Sequence, residues 1–265
     1  MKKTFTIFIL PFLFSASVMA ETPAPEKYAT GKFISGDENV DKKAPADMGL
    51  EIDLKDGWYT YWRMPGDNGL APKFDWTGSE NIKRVDISWP APSRFTVMDM
   101  HSFGYSENVL LPLQITPENP DLPVRVDAKI DMVVCHEICV PESLHVTGDS
   151  VSKDADLLAK VKNSLPQLEN SDDLGISAAV LGKEALVITA YAKGGFHKDA
   201  DVIVETASPL LTVPPQILID EKNPDQAVLK IVAPAGMDLT KELFGKEATI
   251  LLLHGGKAVE KNFTF

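Results

Sequence analysis

The segment VRVDAKIDMVVC, residues 124–135, constrains the fold more than any other stretch of the chain. Val124, Val126, Ala128, Ile130, Met132 and Val134 fall on one side of an extended chain, and Arg125, Asp127, Lys129 and Asp131 on the other. A period of two marks a half-buried β-strand, because a helix would scatter the same residues around its circumference. Cys135, at the end of the run, takes the polar, outward side in this register.

Similar short runs recur from about Tyr28 to Gly148, broken by turn-forming Gly, Pro and Asn. In EIDLKDGWYTYWR, Trp58, Thr60 and Trp62 share one face and Tyr59, Tyr61 and Arg63 the other, until MPGDNGLAP interrupts with turn chemistry. Residues 151–173 change character, being charged, weakly helical from about Asp154 to Asn163, and polar at the end. From residue 174 the short strands return (GISAAVLG, EALVITAYA, ADVIVET, AVLKIVA, EATILLLH), with His254-Gly255-Gly256-Lys257 as a tight hairpin turn. The expectation is an all-β chain of two immunoglobulin-like β-sandwich domains, residues 21–150 and 174–265, joined by a short, partly helical connector over 151–173.

The compartment decides how cysteines are read. The opening MKKTFTIFILPFLFSASVMAET combines a basic start, an apolar run and a small-residue cleavage signal after Ala20. This is a secretory signal of the kind that directs a chain to the bacterial periplasm, where disulfides persist. No later stretch is apolar for long enough to span a bilayer, so no membrane insertion of the mature chain is expected. With 38 acidic against 26 basic residues the formal charge is −12, which repels phosphate backbones and anionic lipids and argues against nucleic-acid binding.

Cys135 and Cys139 are the only cysteines, with His136, Glu137 and Ile138 between them. Residues four apart in one continuous strand are roughly 13 Å apart, too far to bond. A three-residue hairpin loop would set the two opposite each other, within bonding range. The ring so closed is small, and loop entropy credits it with only about 2 kcal/mol. A chain of 265 residues does not need that staple. Short exposed disulfides are the ones that exchange. His136 would favour a neighbouring thiolate and Glu137 would oppose it. From these residues alone, a structural disulfide and an exchange site both remain open.

The strings GWYTYWRMPGDNGLAPKFDW, WPAPSRF, FGYSENVLLPLQI and CHEICVPE, in that order between about residues 30 and 148, resemble the periplasmic N-terminal (alpha) domain of the DsbD thiol:disulfide interchange family. The resemblance is to its ScsB-like branch, named for suppression of copper sensitivity, whose additional β domain the second half also resembles. It implies an immunoglobulin fold whose cysteine pair takes electrons from a thioredoxin-like module and passes them to periplasmic thiol proteins. Cys139 would form the mixed disulfide and Cys135 would resolve it. Larger members carry a multi-helix membrane domain and a thioredoxin-like domain. Neither stands in these 265 residues, so the reductant is expected in trans, from a membrane-embedded reductase. The cysteine spacing is shorter than in the enterobacterial DsbD domain.

By the same resemblance, FTVMDMHSF (residues 95–103) aligns with a cap loop that shields the disulfide. Phe95, Met98, Asp99, Met100, His101, Phe103 and Tyr105 are therefore candidates for the cap, with Phe95, Phe103 and Tyr105 alternatively core. Asp99 near a sulfur would raise its thiol pKa. Met98, Met100 and His101 are also soft ligands suited to Cu(I), which makes a copper-tolerance role an alternative. A binding module with a structural disulfide is another. Trp58, Trp62, Trp76 and Trp89 read as sandwich core. Asp67 reads as a turn residue, and His197 and His254 as exposed. No phosphate loop, zinc spacing or cofactor motif stands out, and no metal or cofactor is assigned.

Overall fold

The computed structural model describes residues 27–36, 48–148 and 151–265. The signal segment expected over residues 1–20 lies outside them. The first half comprises β1 (Ala29–Ser35), β2 (Met48–Leu54), β3 (Tyr59–Gly66), β4 (Lys73–Asp75), β5 (Ile82–Ile87) and β6 (Ser93–Val97). It continues through β7 (Met100–Ser106), β8 (Asn108–Pro117), β9 (Asp127–Cys135) and β10 (Cys139–Thr147). After β11 (Val151–Lys153) and α1 (Ala155–Asn163) come β12 (Leu174–Leu181), β13 (Ala185–Ala192), β14 (Asp201–Glu205), β15 (Gln216–Ile219) and β16 (Gln226–Val232). The chain closes with α2 (Leu239–Leu243), β17 (Glu247–His254) and β18 (Lys257–Thr264).

These strands make all-β, immunoglobulin-like sandwiches. In the first, a sheet ordered β11-β1-β2-β8-β5 packs on a sheet ordered β10-β9-β3-β7-β6, with β4 paired to β9. Phe33, Leu50 and Leu111 from one sheet meet Trp62, Phe103, Ile130 and Val134 from the other in a common core. Burial along β9 follows the alternation in its sequence: Ala128, Ile130, Met132 and Val134 are inside, Lys129 and Asp131 outside. Of the four tryptophans, Trp62 is core, and Trp58, Trp76 and Trp89 pack partly buried against it. The second half pairs β12-β13-β16-β15 with β14-β17-β18 around Leu186, Ile188, Leu229 and Ile250. The hairpin at Gly255 and Gly256 forms as the glycines predict, both with positive φ.

Two expectations change. The alternating run EIDLKDGWYTYWR is not one strand. It breaks at Asp56-Gly57, where Gly57 adopts φ +80°, and its halves enter opposite sheets as β2 and β3. The connector, helical at Ala155–Asn163, is also packed more closely than its polar sequence suggests. β11 pairs in parallel with β1, Leu158 of α1 is buried with Ile34 and Leu110, and Gln167 bridges to Val259 of β18.

The two halves also touch through side chains. Ile203, Leu251 and Ala258 of the second half join the core of the first. Arg63 donates to Glu205 and Glu260, at 2.9 and 2.6 Å in its closest contacts.

Candidate functional site

Cys135 ends β9 and Cys139 begins β10, directly opposite in the antiparallel register, with Cα atoms 4.1 Å apart and the sulfurs bonded. The intervening turn is closed by His136 N–H donating to the Ile138 carbonyl at 3.0 Å. The two cysteines are not equivalent. Cys139 is exposed, whereas Cys135 is 0 % exposed.

That burial corrects the outward placement expected from the strand pattern. Cys135 does point to the same face as Asp131 and Lys129, but there the face is roofed over. β3 pairs with β9 so that Tyr59 lies opposite Cys135. Directly opposed residues share a face, so Tyr59 and Tyr61 both project over the cysteines. The Tyr61 hydroxyl reaches 3.3 Å from Cys135 Sγ and 3.8 Å from Cys139 Sγ, and donates to the Asn68 carbonyl at 3.3 Å. Burial, reinforced by Tyr59, pushes the Tyr61 pKa up to about 12, so the phenol keeps its proton across the working range. An O–H held there can turn toward a thiolate when the disulfide opens, and a charge-assisted bond to sulfur would favour that thiolate.

Phe95 stacks on Tyr59 with ring centroids 4.7 Å apart, and Tyr59 meets Tyr61 edge-on at 5.9 Å. Gly104 of β7, opposite Tyr61 in the ladder, lets β7 close on β3 because it has no side chain. A Cβ there would stand 1.8 Å from the Thr60 carbonyl.

Residues 95–103, which the resemblance aligns with a cap loop, form a β-hairpin. β6 and β7 pair from Ser93↔Gly104 to Val97↔Met100, with Met98 (φ +49°) and Asp99 (φ +61°) as the two turn residues. Asp99 suits such a turn, but Met98 does not announce it and no glycine follows. Phe95, Val97 and Met100 share the face that carries Tyr59. Arg94, Thr96, His101 and Phe103 share the other. The consequences for the cap candidates are specific. Phe95 covers Tyr59, Met98 is 87 % exposed at the tip beside Asp99, and Phe103 and Tyr105 belong to the core. The Tyr105 hydroxyl donates to the Pro90 carbonyl at 2.7 Å.

Met100 and His101 project from opposite faces of β7, so the soft ligands considered for Cu(I) do not converge. The His101 ring bonds Thr96 at 3.0 Å. Among the described residues no group of three or more His, Cys, Asp or Glu is placed to hold a metal. His136 is exposed, with its ring beside Gly57 and 6.0 Å from that of Trp58, and Glu137 is exposed in the same loop. His254 is half-buried rather than exposed, stacked on His197 and accepting the His197 N–H at 3.0 Å.

Sequence reasoning missed Tyr61, Tyr59 and Arg94, and saw only a turn residue in Asp67. The shared face of Tyr59 and Tyr61 was visible, but nothing in the sequence ties Tyr61 to a cysteine 74 residues away.

A cross-strand disulfide on an immunoglobulin-like sandwich, with one cysteine exposed and the other buried beneath a phenol, fits a thiol:disulfide interchange domain. Residues 30–149 match the family model "Thiol:disulfide interchange protein DsbD, N-terminal", and this part of the chain belongs to that family. Among solved structures, the chain is similar to the N-terminal periplasmic domain of ScsB from Proteus mirabilis. The identity is 23 %, the coverage 89 % of this chain and 91 % of that one, and the TM-score 0.65, which shows a shared fold. No curated protein matches the chain by sequence.

Proposed function

We propose that this chain is a periplasmic electron carrier whose Cys135–Cys139 pair takes reducing equivalents from a thioredoxin-like donor and delivers them to periplasmic thiol proteins. The observation that carries this reading is the inequality of the cysteines. Attack on a disulfide goes to the accessible sulfur, and it is fastest when the departing thiolate is stabilised.

In the loading direction, a donor thiolate attacks Cys139 Sγ and breaks the internal bond. The pair of the broken bond leaves on Cys135 as a thiolate, to which the Tyr61 O–H can donate a hydrogen bond. The donor's second thiol then attacks the mixed disulfide and releases Cys139, so the donor ends as a disulfide and this chain as a dithiol. Delivery runs the same steps in reverse: Cys139 attacks a partner disulfide and Cys135 resolves the intermediate. Ile138 (68 % exposed) follows from the loop beside Cys139, and Leu70 (66 % exposed) from the turn whose Asn68 carbonyl holds Tyr61. Together they offer apolar surface to a partner.

The test is trapping. A Cys135→Ala variant should accumulate a mixed disulfide with a thioredoxin-like domain through Cys139, and Cys139→Ala should trap little. Equal trapping by both, or none by either, would contradict the assignment. A reduction potential below about −300 mV would place the bond among structural disulfides.

A further inference from the structure

The second sandwich has no cysteine, yet it grips the hairpin that overlies the site. Arg94, on edge strand β6, sends its guanidinium into that sandwich. Nε and Nη2 form a fork on the Asp201 carboxylate at 2.9 and 2.7 Å, Nη2 also donates to the Val202 carbonyl at 2.9 Å, and Nη1 donates to the Thr212 carbonyl. The side chain is only 9 % exposed, and its guanidinium lies 4.8 Å from the Phe103 ring centroid. The other strand of the hairpin is tied indirectly. One Asp67 carboxylate oxygen accepts the His101 N–H at 2.8 Å, and the other accepts the Thr212 hydroxyl at 2.6 Å.

These ties act where the sheet itself holds least. The β3–β7 ladder shifts register between Tyr61 and Gly66, so the outer half of the hairpin meets this segment again at Gly66↔Ser102 and through Asp67 N–H on the His101 carbonyl at 2.9 Å. An edge hairpin with so few ladder bonds is marginal by itself. Arg94 and Phe95 are adjacent and point to opposite faces, so fixing one places the other.

We propose that the second sandwich is a brace for the hairpin: Arg94 and Asp67 are positioning residues that hold Phe95 on Tyr59, keep the aromatic roof whose Tyr61 hydroxyl lies over both sulfurs, and thereby set how fast a thiol enters the line of attack on the Cys135–Cys139 bond. The proposal rests on the exchange reading above. Opening the hairpin requires Arg94 to part from Asp201 and the two carbonyls, so the second sandwich sets the barrier to attack without touching a sulfur.

The experiment uses the full oxidised chain and follows reduction of its disulfide by dithiothreitol, by thiol labelling over time. Arg94→Ala should accelerate reduction about tenfold, and Thr212→Val, which keeps every charge, about threefold. The equilibrium position against dithiothreitol should stay the same, because a gate changes the barrier and not the end states. Unchanged rates in both variants would overturn the brace. So would equal acceleration by Arg63→Ala, which loosens the contact between sandwiches at Glu205 and Glu260 and leaves the Arg94 and Asp67 ties in place. A wild-type chain that no thioredoxin-like protein reduces would instead overturn the exchange reading, with the dithiothreitol rates still deciding the brace.

Discussion

The phenolic oxygen of Tyr61 stands 3.3 Å from the sulfur of Cys135, although β3 and β9 bring them together from positions 74 residues apart. Tyr61→Phe keeps the ring and removes only the O–H. The loss of one hydrogen bond should cost about 1 kcal/mol of stability. The sharper effect should be kinetic: without a donor for the departing Cys135 thiolate, reduction of the disulfide should slow by about three- to tenfold. Timed reduction of the wild type and the variant by the same thiol measures this.

The unequal burial of the cysteines should be visible in the reduced protein. Iodoacetamide at limiting concentration should label Cys139 at least about tenfold faster than Cys135, since reactivity follows exposure and thiolate character. Peptide mass spectrometry after short exposures reads the ratio.

Gly104 is required by contact with backbone, which cannot yield as a side chain can. Gly104→Ala brings a methyl to within 1.8 Å of the Thr60 carbonyl and should separate β7 from β3. A loss of about 3 kcal/mol is expected, at the upper end of overpacking costs. Urea denaturation would show it as a lower midpoint. Loss of the Phe95–Tyr59 stack should also speed disulfide reduction.

His254 links stability to pH. Burial, and then the neighbouring His197, lower its pKa below the ordinary 6.5. Its Nε2 accepts the His197 N–H, a role that needs the neutral ring. The folded state therefore binds its proton less readily than the unfolded chain. The stabilisation is complete above pH 6.5, declines as the pH falls below that value, and levels off once the folded state also protonates. His254→Gln should flatten this part of the melting temperature against pH curve, and an unchanged acid slope would argue against it.

How far the sequence was legible follows the range of the interactions. VRVDAKIDMVVC showed its buried face because alternation is local, and His254-Gly255-Gly256-Lys257 showed its turn because glycine accepts positive φ. CHEIC showed a closable pair because only three residues intervene. The break at Asp56-Gly57 was hidden because alternation carried through it on both sides. The hairpin was hidden because Met98 takes positive φ at the turn, where no glycine marks it. Tyr61 over Cys135, and Arg94 on Asp201, are meetings of distant segments, and no local pattern encodes them.

The pairing of β11 with β1 decides where this chain can be divided. Composition changes at residue 151, and a cut there seems natural on paper. Yet Val151–Lys153 covers one edge of β1, and α1 seals Leu158 over Ile34 and Leu110. A fragment ending at residue 150 would bare a strand edge beside an apolar patch, a template for joining other copies of itself. One ending after Asn163 would keep both covers and bare only the face on which Ile203, Leu251 and Ala258 sit. Light scattering should find the shorter fragment self-associating more strongly than the longer one.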